Sequence, residues 1–387
     1  MNKIYNTQED IASGFRNFLK LINPNIRKTQ LNFLPYLLFG IIASESISPF
    51  DIVKNLKGDF SLIQLDSVKK RIKRFFSNKH FHPYEFFDLV IKYVISTYKK
   101  KHNDKRIHII FDHMFSHDNY TVFMISMRIG KQGIPIWFRC FEGKDCPDAF
   151  KEELIKEGIS YVSNLFPNDF ELIFLADRWF NSTGLMKHID SLGHTYVLRM
   201  KQNIKVFYFD KNEGHKVWKT LQDLPRYKHR SIKYEKIQIT DSKYTTNIVI
   251  SDSIDTNDPW VLVSNKNLNR SVKDYSYRFG DIECLFKNQK SNGFYLEKTV
   301  NVNASLKYFE SMYSILCTVS LYLTLLGSDF AKNTKCYKNV KISTHTSSNG
   351  KRIRILSLFN TGLTLFHLAF NSLRYIRLPF NFVLYDS

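Results

Sequence analysis

Two aspartates close apolar runs in this chain: Asp112 ends RIHIIFD and Asp177 ends ELIFLAD. Further on, Glu283, Lys287 and Lys290 follow at i, i+4 and i+7, which on a helix puts them on one face. Carboxylates that converge from separate elements are the ligand set of magnesium or manganese, hard ions that take oxygen donors and keep some of their water. Two such ions about 3.5 to 4 Å apart can hold the attacking and leaving oxygens of a phosphodiester exchange. Taken singly, each aspartate reads as a turn residue bonding its own backbone, and the Glu–Lys triplet as a solvated ladder. Brought together, the carboxylates would raise one another's pKa unless a cation lay between them, so convergence would argue for a metal. The sequence has no G-x-x-x-x-G-K loop, no H-E-x-x-H and no G-x-S-x-G elbow to carry a competing chemistry. His108, on a strand, reads as a packed histidine, whereas His113 could lie near a phosphate.

The period of the apolar residues locates the elements that must position these groups. Residues 1–104 read as a helical domain, with near-3.6 spacing in DIASGFRNFLKLI and QLNFLPYLLFGIIAS. A third helix, DSVKKRIKRFFSN, would be capped by Asp66 or Ser67, bury Val68, Ile72, Phe75 and Phe76, and leave Lys69, Lys70, Lys73 and Arg74 outside. That is the form of a helical DNA-binding domain of helix-turn-helix type. Over 105–201 the period changes. RIHIIFD, YTVFMISMRIG and IPIWFRCFE form an antiparallel meander, followed by a helix from Ala149 to Leu165, the strand ELIFLAD, a helix after Asn181 and the strand TYVLRM. Three antiparallel strands followed by β-α-β units predict an α/β core, a mixed sheet flanked by helices. Residues 202–268 read as a mostly β insertion, with one brief helical pattern in KVWKTLQDL. Helices from Ser271 through Lys290 and from Ala304 to Leu326 return to the core over 269–330. Residues 331–387 form a C-terminal helical region containing SLFNTGLTLFHLAF.

The 387 residues are 43% apolar and 15% aromatic, enough to order a large core. Lys and Arg number 56 against 36 Asp and Glu, a net charge of +20. Basic residues gather at Lys69–Arg74, at Lys99–Lys101 and at Lys351, Arg352 and Arg354. Any one such run can be no more than a wet surface, but three on a chain this basic point to a polyanion. Cysteines 140, 146, 284, 317 and 336 form neither a disulfide framework nor a C-x-x-C pair and read as reduced thiols. The first residues have no apolar signal region, so the chain is expected in the cytoplasm. The uncharged stretches Thr29–Ser44 and Ser311–Ser328 carry Asn32 and Pro35, and Ser314, Thr318, Ser320 and Thr324, and read as buried helices rather than membrane spans.

The segment YSYRFGDIECLFKNQKSNGFYLEKT resembles the third signature, Y-x2-R-x3-E-x6-K, of bacterial insertion-sequence transposases of the DDE type. Tyr275 and Arg278 match its first spacing, and Glu283 and Lys290 its last. IIFDHMF and FLADRWF are similar to the segments around that family's first two catalytic aspartates, and the likeness runs from about residue 60. The resemblance implies a ribonuclease-H-like core in which Asp112, Asp177 and Glu283 hold two Mg (or Mn) ions. It also implies that Arg178, Tyr275, Arg278, Lys287 and Lys290 meet DNA. The activity implied is cut-and-paste transposition of double-stranded DNA through hairpin intermediates, by a homodimer bridging two DNA ends. A DNA nuclease with the same site, or a non-catalytic DNA-binding protein of the same fold, are the alternatives. The chain departs from the signature once, with four residues between Arg278 and Glu283 where the family has three. On a regular helix five steps turn by about 500°, leaving Arg278 about 140° from Glu283 instead of about 40°. A π-bulge, or a helix start between the two, is therefore expected near Gly280, returning Arg278 to the DNA.

Overall fold

The structure is a computed structural model that describes residues 7–56, 64–98, 105–116, 119–210, 213–239, 243–252, 258–266, 268–291, 293–299, 304–333, 344–346, 352–354, 356–371, 378–380 and 382–383. Five helices come first: α1 (Gln8–Ile22), α2 (Lys28–Ser44), α3 (Pro49–Asn55), α4 (Leu65–Phe76) and α5 (Pro83–Ser96). Thr7 caps α1 by accepting the N–H of Asp10, and Glu9 and Asp10 stand where the helix end carries partial positive charge. On α4 the apolar stripe falls as the period requires, with Val68, Ile72, Phe75 and Phe76 buried and Lys70, Lys73 and Arg74 exposed. Its start differs from expectation. The helix begins at Leu65 with no side-chain cap, so Asp66 and Ser67 lie inside the first turn, and Asp66 pairs with Lys69 at 2.6 Å instead.

The strands follow as β1 (Arg106–Ser116), β2 (Tyr120–Ile129) and β3 (Gln132–Glu142), then α6 (Glu152–Leu165), β4 (Glu171–Ala176), α7 (Thr183–Ser191) and β5 (Thr195–Arg199). Next are β6 (Lys205–Asp210), β7 (His215–Thr220), β8 (Ser231–Ile239), β9 (Tyr244–Ser251) and β10 (Trp260–Ser264). The chain continues with α8 (Leu268–Lys290), α9 (Leu296–Thr299), α10 (Leu306–Lys332), the short strands β11 (Thr344–Thr346) and β12 (Arg352–Arg354), and α11 (Leu358–Asn371). One ten-stranded sheet runs in the order β3-β2-β1-β4-β5-β10-β9-β8-β6-β7. Its β1–β4 and β4–β5 pairs are parallel and its other described pairs antiparallel. The sheet is mixed, as the run of three hairpin-like strands before two β-α-β steps requires. The β-rich stretch joins this same sheet, because β10 pairs with β5. KVWKTLQDL does not form a helix: pairing with β6 draws its first half into β7, and only Leu221–Asp223 close a 3-10 turn.

Behind the meander lies α10, packed on α2, α4, α5, α11 and β3. It is long and apolar enough to cross a membrane by composition, yet 89% of its most apolar stretch is buried inside the protein, so its surface is spent on the core. Two glycines let α10 and α11 touch backbone to backbone: a Cβ on Gly327 would lie 1.9 Å from the Leu358 carbonyl oxygen, and one on Gly362 would lie 1.9 Å from that of Leu323.

Candidate active site

The register of the parallel pair decides where the two aspartates go. Ile110 on β1 lies opposite Leu175 on β4, and Asp112 and Asp177 each follow two residues later. Side chains alternate along a strand, so equal steps from a paired position bring both carboxylates to the same level and face of neighbouring strands, which run about 4.8 Å apart. Each also makes the local bond expected of a turn aspartate: Asp112 Oδ1 accepts the His113 N–H at 2.9 Å and Asp177 Oδ1 the Arg178 N–H at 2.7 Å. The turn role and the converging role are therefore held by the same side chains.

The third element is α8, which lies across β1, β3, β4 and β5. Its buried side chains include Ser271, Asp274, Tyr275, Arg278, Asp281, Ile282 and Leu285, an i, i+3, i+4 stripe. Arg278 is on that stripe and 6% exposed. Its Nη2 donates to Asp112 Oδ2 at 2.5 Å and lies 3.8 Å from Asp177 Oδ2, so those oxygens are at most about 6.3 Å apart, the sum of the two distances. Its Nη1 is 4.0 Å from Glu283 Oε1. One guanidinium thus faces all three carboxylates. Burial pushes the Asp112 carboxyl above its ordinary value; Arg278 and the His113 N–H oppose this, the charge of Asp177 adds to it, and the net direction is up. Glu283 sits on the open flank, its side chain 56% exposed.

The irregularity expected near Gly280 is absent. From Leu268 to Lys290 α8 is continuous α-helix, Gly280 included. The extra residue is not absorbed by the backbone: Arg278 is on the face turned to the aspartates while Glu283 stays at the rim. Tyr275, also expected on DNA, is fully buried against Trp260 and Phe279, with its hydroxyl 3.5 Å from Asp177 Oδ1. Of the other positions, Lys287 is exposed and Lys290 pairs with Glu297 at 3.1 Å. The carboxylates have the hard-oxygen chemistry that suits Mg or Mn. Among the described residues, however, no group of three or more His, Cys, Asp or Glu side chains is gathered as a ligand set, and the Arg278 guanidinium lies against both Asp112 and Asp177.

No family model matches the chain, and no curated protein matches it. Among solved structures it is similar to piggyBac transposase in a synaptic complex with hairpin DNA, over 96% of this chain and 81% of that one, with 14% identity and a TM-score of 0.46. A likeness that distant says nothing of this chain's chemistry.

Around Asp177, Arg178 is joined by a second ring of charge from Arg199 and Asp258, neither of them among the residues expected from the sequence. Arg199, the last residue of β5, lies 3.9 Å from Asp177 Oδ1 and 2.6 Å from Asp258 Oδ2. Asp258 also takes Arg178 at 3.2 Å and the Gln202 amide at 2.5 Å. The signal for Arg199 was the one that marked both aspartates, a charge closing an apolar strand. Asp258 gave none, since only the pairing of β10 with β5 brings it near. His108 is packed as expected, its Nε2 3.0 Å from Asp274 and its ring edge-on to Tyr277. His113 does not face a phosphate position: its Nε2 meets the Ala149 carbonyl oxygen at 2.8 Å, its ring packs on Phe150 and Phe180, and burial pushes its pKa down to about 4. Lys99–Lys101 and the side chains of Lys351, Arg352 and Arg354 lie outside the described residues.

Proposed function

We propose that this protein is a DNA transposase of the DDE type, cutting and rejoining double-stranded DNA at Asp112, Asp177 and Glu283. The observation that carries the reading is the meeting of these three carboxylates on one guanidinium, two of them from neighbouring parallel strands and one from the helix laid across them. The strand order β3-β2-β1-β4-β5, with β1, β4 and β5 parallel, supports a ribonuclease-H-like core, and the signature from Tyr275 to Lys290 supports the transposase branch of it.

Asp112, Asp177 and Glu283 would hold two Mg or Mn ions, which when bound polarise the scissile phosphate and favour an attacking oxygen. The rest of the site positions and neutralises. The Tyr275 hydroxyl and the Arg178 N–H orient Asp177, and the His113 N–H orients Asp112. Arg178, Arg199 and Lys287 offer cations to the phosphates on either side of the cut. Trp179 is 73% exposed two residues beyond Asp177 with Lys201 over its ring, a surface on which a base can stack. Lys69, Lys70, Lys73 and Arg74 on α4 add sequence-independent affinity. Hairpin formation, a homodimer joining two ends and a cytoplasmic location belong to the same reading.

The test is nicking of supercoiled plasmid with Mg. Wild type should nick, and Asp112→Asn should lose about 10³-fold or more in rate while still shifting DNA in a gel. DNA binding without metal-dependent cleavage by wild type would identify a non-catalytic binder, and cleavage without joining of element ends a nuclease.

A further inference from the structure

Resting on the function just proposed, we infer that Arg278 is a resident counter-cation that keeps divalent metal out of the free protein until a DNA phosphate draws it away. Metal and DNA would then bind cooperatively.

Three observations carry this. The Arg278 guanidinium stands between the carboxylates that a metal would need, 2.5 Å from Asp112 and 3.8 Å from Asp177. Like charges at such distances repel strongly in a partly buried site, so a divalent ion and the guanidinium exclude one another. Second, the arginine is incompletely bonded where it is: its Nε is buried without a hydrogen-bond partner. A phosphate, with oxygens that match the guanidinium fork, is a better partner than that pocket offers. Third, the path out is short, because Nη1 already lies 4.0 Å from Glu283 at the open rim, one helical turn from the exposed Lys287. On an unbroken helix the four-residue interval sets Arg278 about 140° from Glu283, and the face that α8 lays on the sheet carries Arg278, which leaves Glu283 at the rim.

If phosphate relieves the block, DNA must raise metal affinity, and metal must raise DNA affinity by the same factor. The experiment is titration of the full chain with Mn2+, read by the electron paramagnetic resonance of the free ion, with and without a 40-base-pair duplex. Wild type without DNA should bind Mn2+ weakly, and Arg278→Gln at least about 10-fold more tightly. Arg278→Lys, which keeps the charge, should remain close to wild type, and thermal melting confirms that each variant is folded. For wild type alone, duplex should tighten Mn2+ binding by about the same 10-fold, and Mn2+ should tighten duplex binding equally. Equal Mn2+ affinities in wild type and Arg278→Gln overturn the inference while leaving the proposed function standing, provided Asp112→Asn abolishes that binding. So does an Arg278→Lys gain equal to that of Gln, or wild-type Mn2+ affinity that ignores duplex. No Mn2+ binding by any variant, with or without duplex, overturns both.

Discussion

Along α8 two ionic clusters face β1 one helical turn apart, and they are built with opposite polarity. At the first, an acid from the helix meets bases from the strand: Asp274, its side chain 3% exposed, bonds Arg106 at 3.1 Å and His108 at 3.0 Å. Burial alone would raise the Asp274 pKa, but the bonds and charges of His108 and Arg106 outweigh it and leave the carboxyl below its ordinary value. At the second, a base from the helix meets acids from the strands. Arg278 faces Asp112, Asp177 and Glu283, and burial with a neighbouring carboxylate leaves Asp112 above its ordinary value. Adding Arg178, Arg199 and Asp258 still leaves four carboxylates against three guanidiniums. The first cluster is a closed clip between helix and sheet. The second retains charge that the fold does not neutralise, and the proposed function reads that charge as a site rather than a strut.

The comparison breaks most sharply on a pair of isosteric changes. Asp177→Asn should cost about 10³-fold or more in cleavage rate with little change in melting temperature, whereas Asp274→Asn should cost about 1 to 3 kcal/mol of stability by removing the buried acid that ties Arg106 and His108 to the helix, Arg106 keeping its pair with Glu171 at 3.4 Å. Folded Asp274→Asn protein should still cut. Denaturant unfolding beside single-turnover nicking reads both, and an Asp274→Asn protein as stable as wild type would remove the distinction.

A third pair on the same helix sharpens it. Asp281 meets Arg128 at 3.1 Å, and burial, only partly opposed by Arg128, pushes its pKa up to about 7. Because the folded value lies above the unfolded one, its contribution is fully present below about pH 4 and is lost as pH rises through about 7. Asp281→Asn should therefore flatten the fall in stability between those values, a difference of about 2 to 4 kcal/mol by urea unfolding at pH 5 and pH 8. An unchanged pH slope would show that Asp281 ionises without cost and belongs with the open cluster.

The smallest effect lies furthest from both clusters. Lys70→Ala with Lys73→Ala on α4 should weaken DNA binding several-fold and reduce the slope of log affinity against log salt by about 2, leaving the cleavage rate at saturating DNA unchanged. A loss of rate at saturation would place α4 at the chemistry instead.

Much of this was legible because it depends on pattern. Alternation gave the strands, and a charge closing an apolar run marked Asp112 and Asp177, as it would have marked Arg199. The period on α8 puts Glu283, Lys287 and Lys290 on one face but does not reveal that Tyr275 and Arg278 lie on the buried one. A bulge was expected to restore Arg278 to DNA, whereas an unbroken helix aims it at the aspartates. Local spacing cannot say which way a long helix lies on its sheet, and that orientation decides what an arginine reaches. Asp258 was invisible for a related reason: its neighbours Arg178 and Arg199 come from elsewhere in the chain through β10–β5 pairing. The helical reading of KVWKTLQDL failed because β7 had a strand to pair with, and cross-strand bonding outweighed a short local preference.

The central claim is that Asp112, Asp177 and Glu283 act as one unit on DNA. Single-turnover nicking of supercoiled DNA in Mg should be measured for wild type, for Asp112→Asn, Asp177→Asn and Glu283→Gln, and for the triple variant. Groups that act together lose nearly all of their effect when any one is removed, so each single variant should be almost as slow as the triple, about 10³-fold or more below wild type. A single variant that cuts at the wild-type rate, or losses that multiply independently toward the triple, would contradict the account.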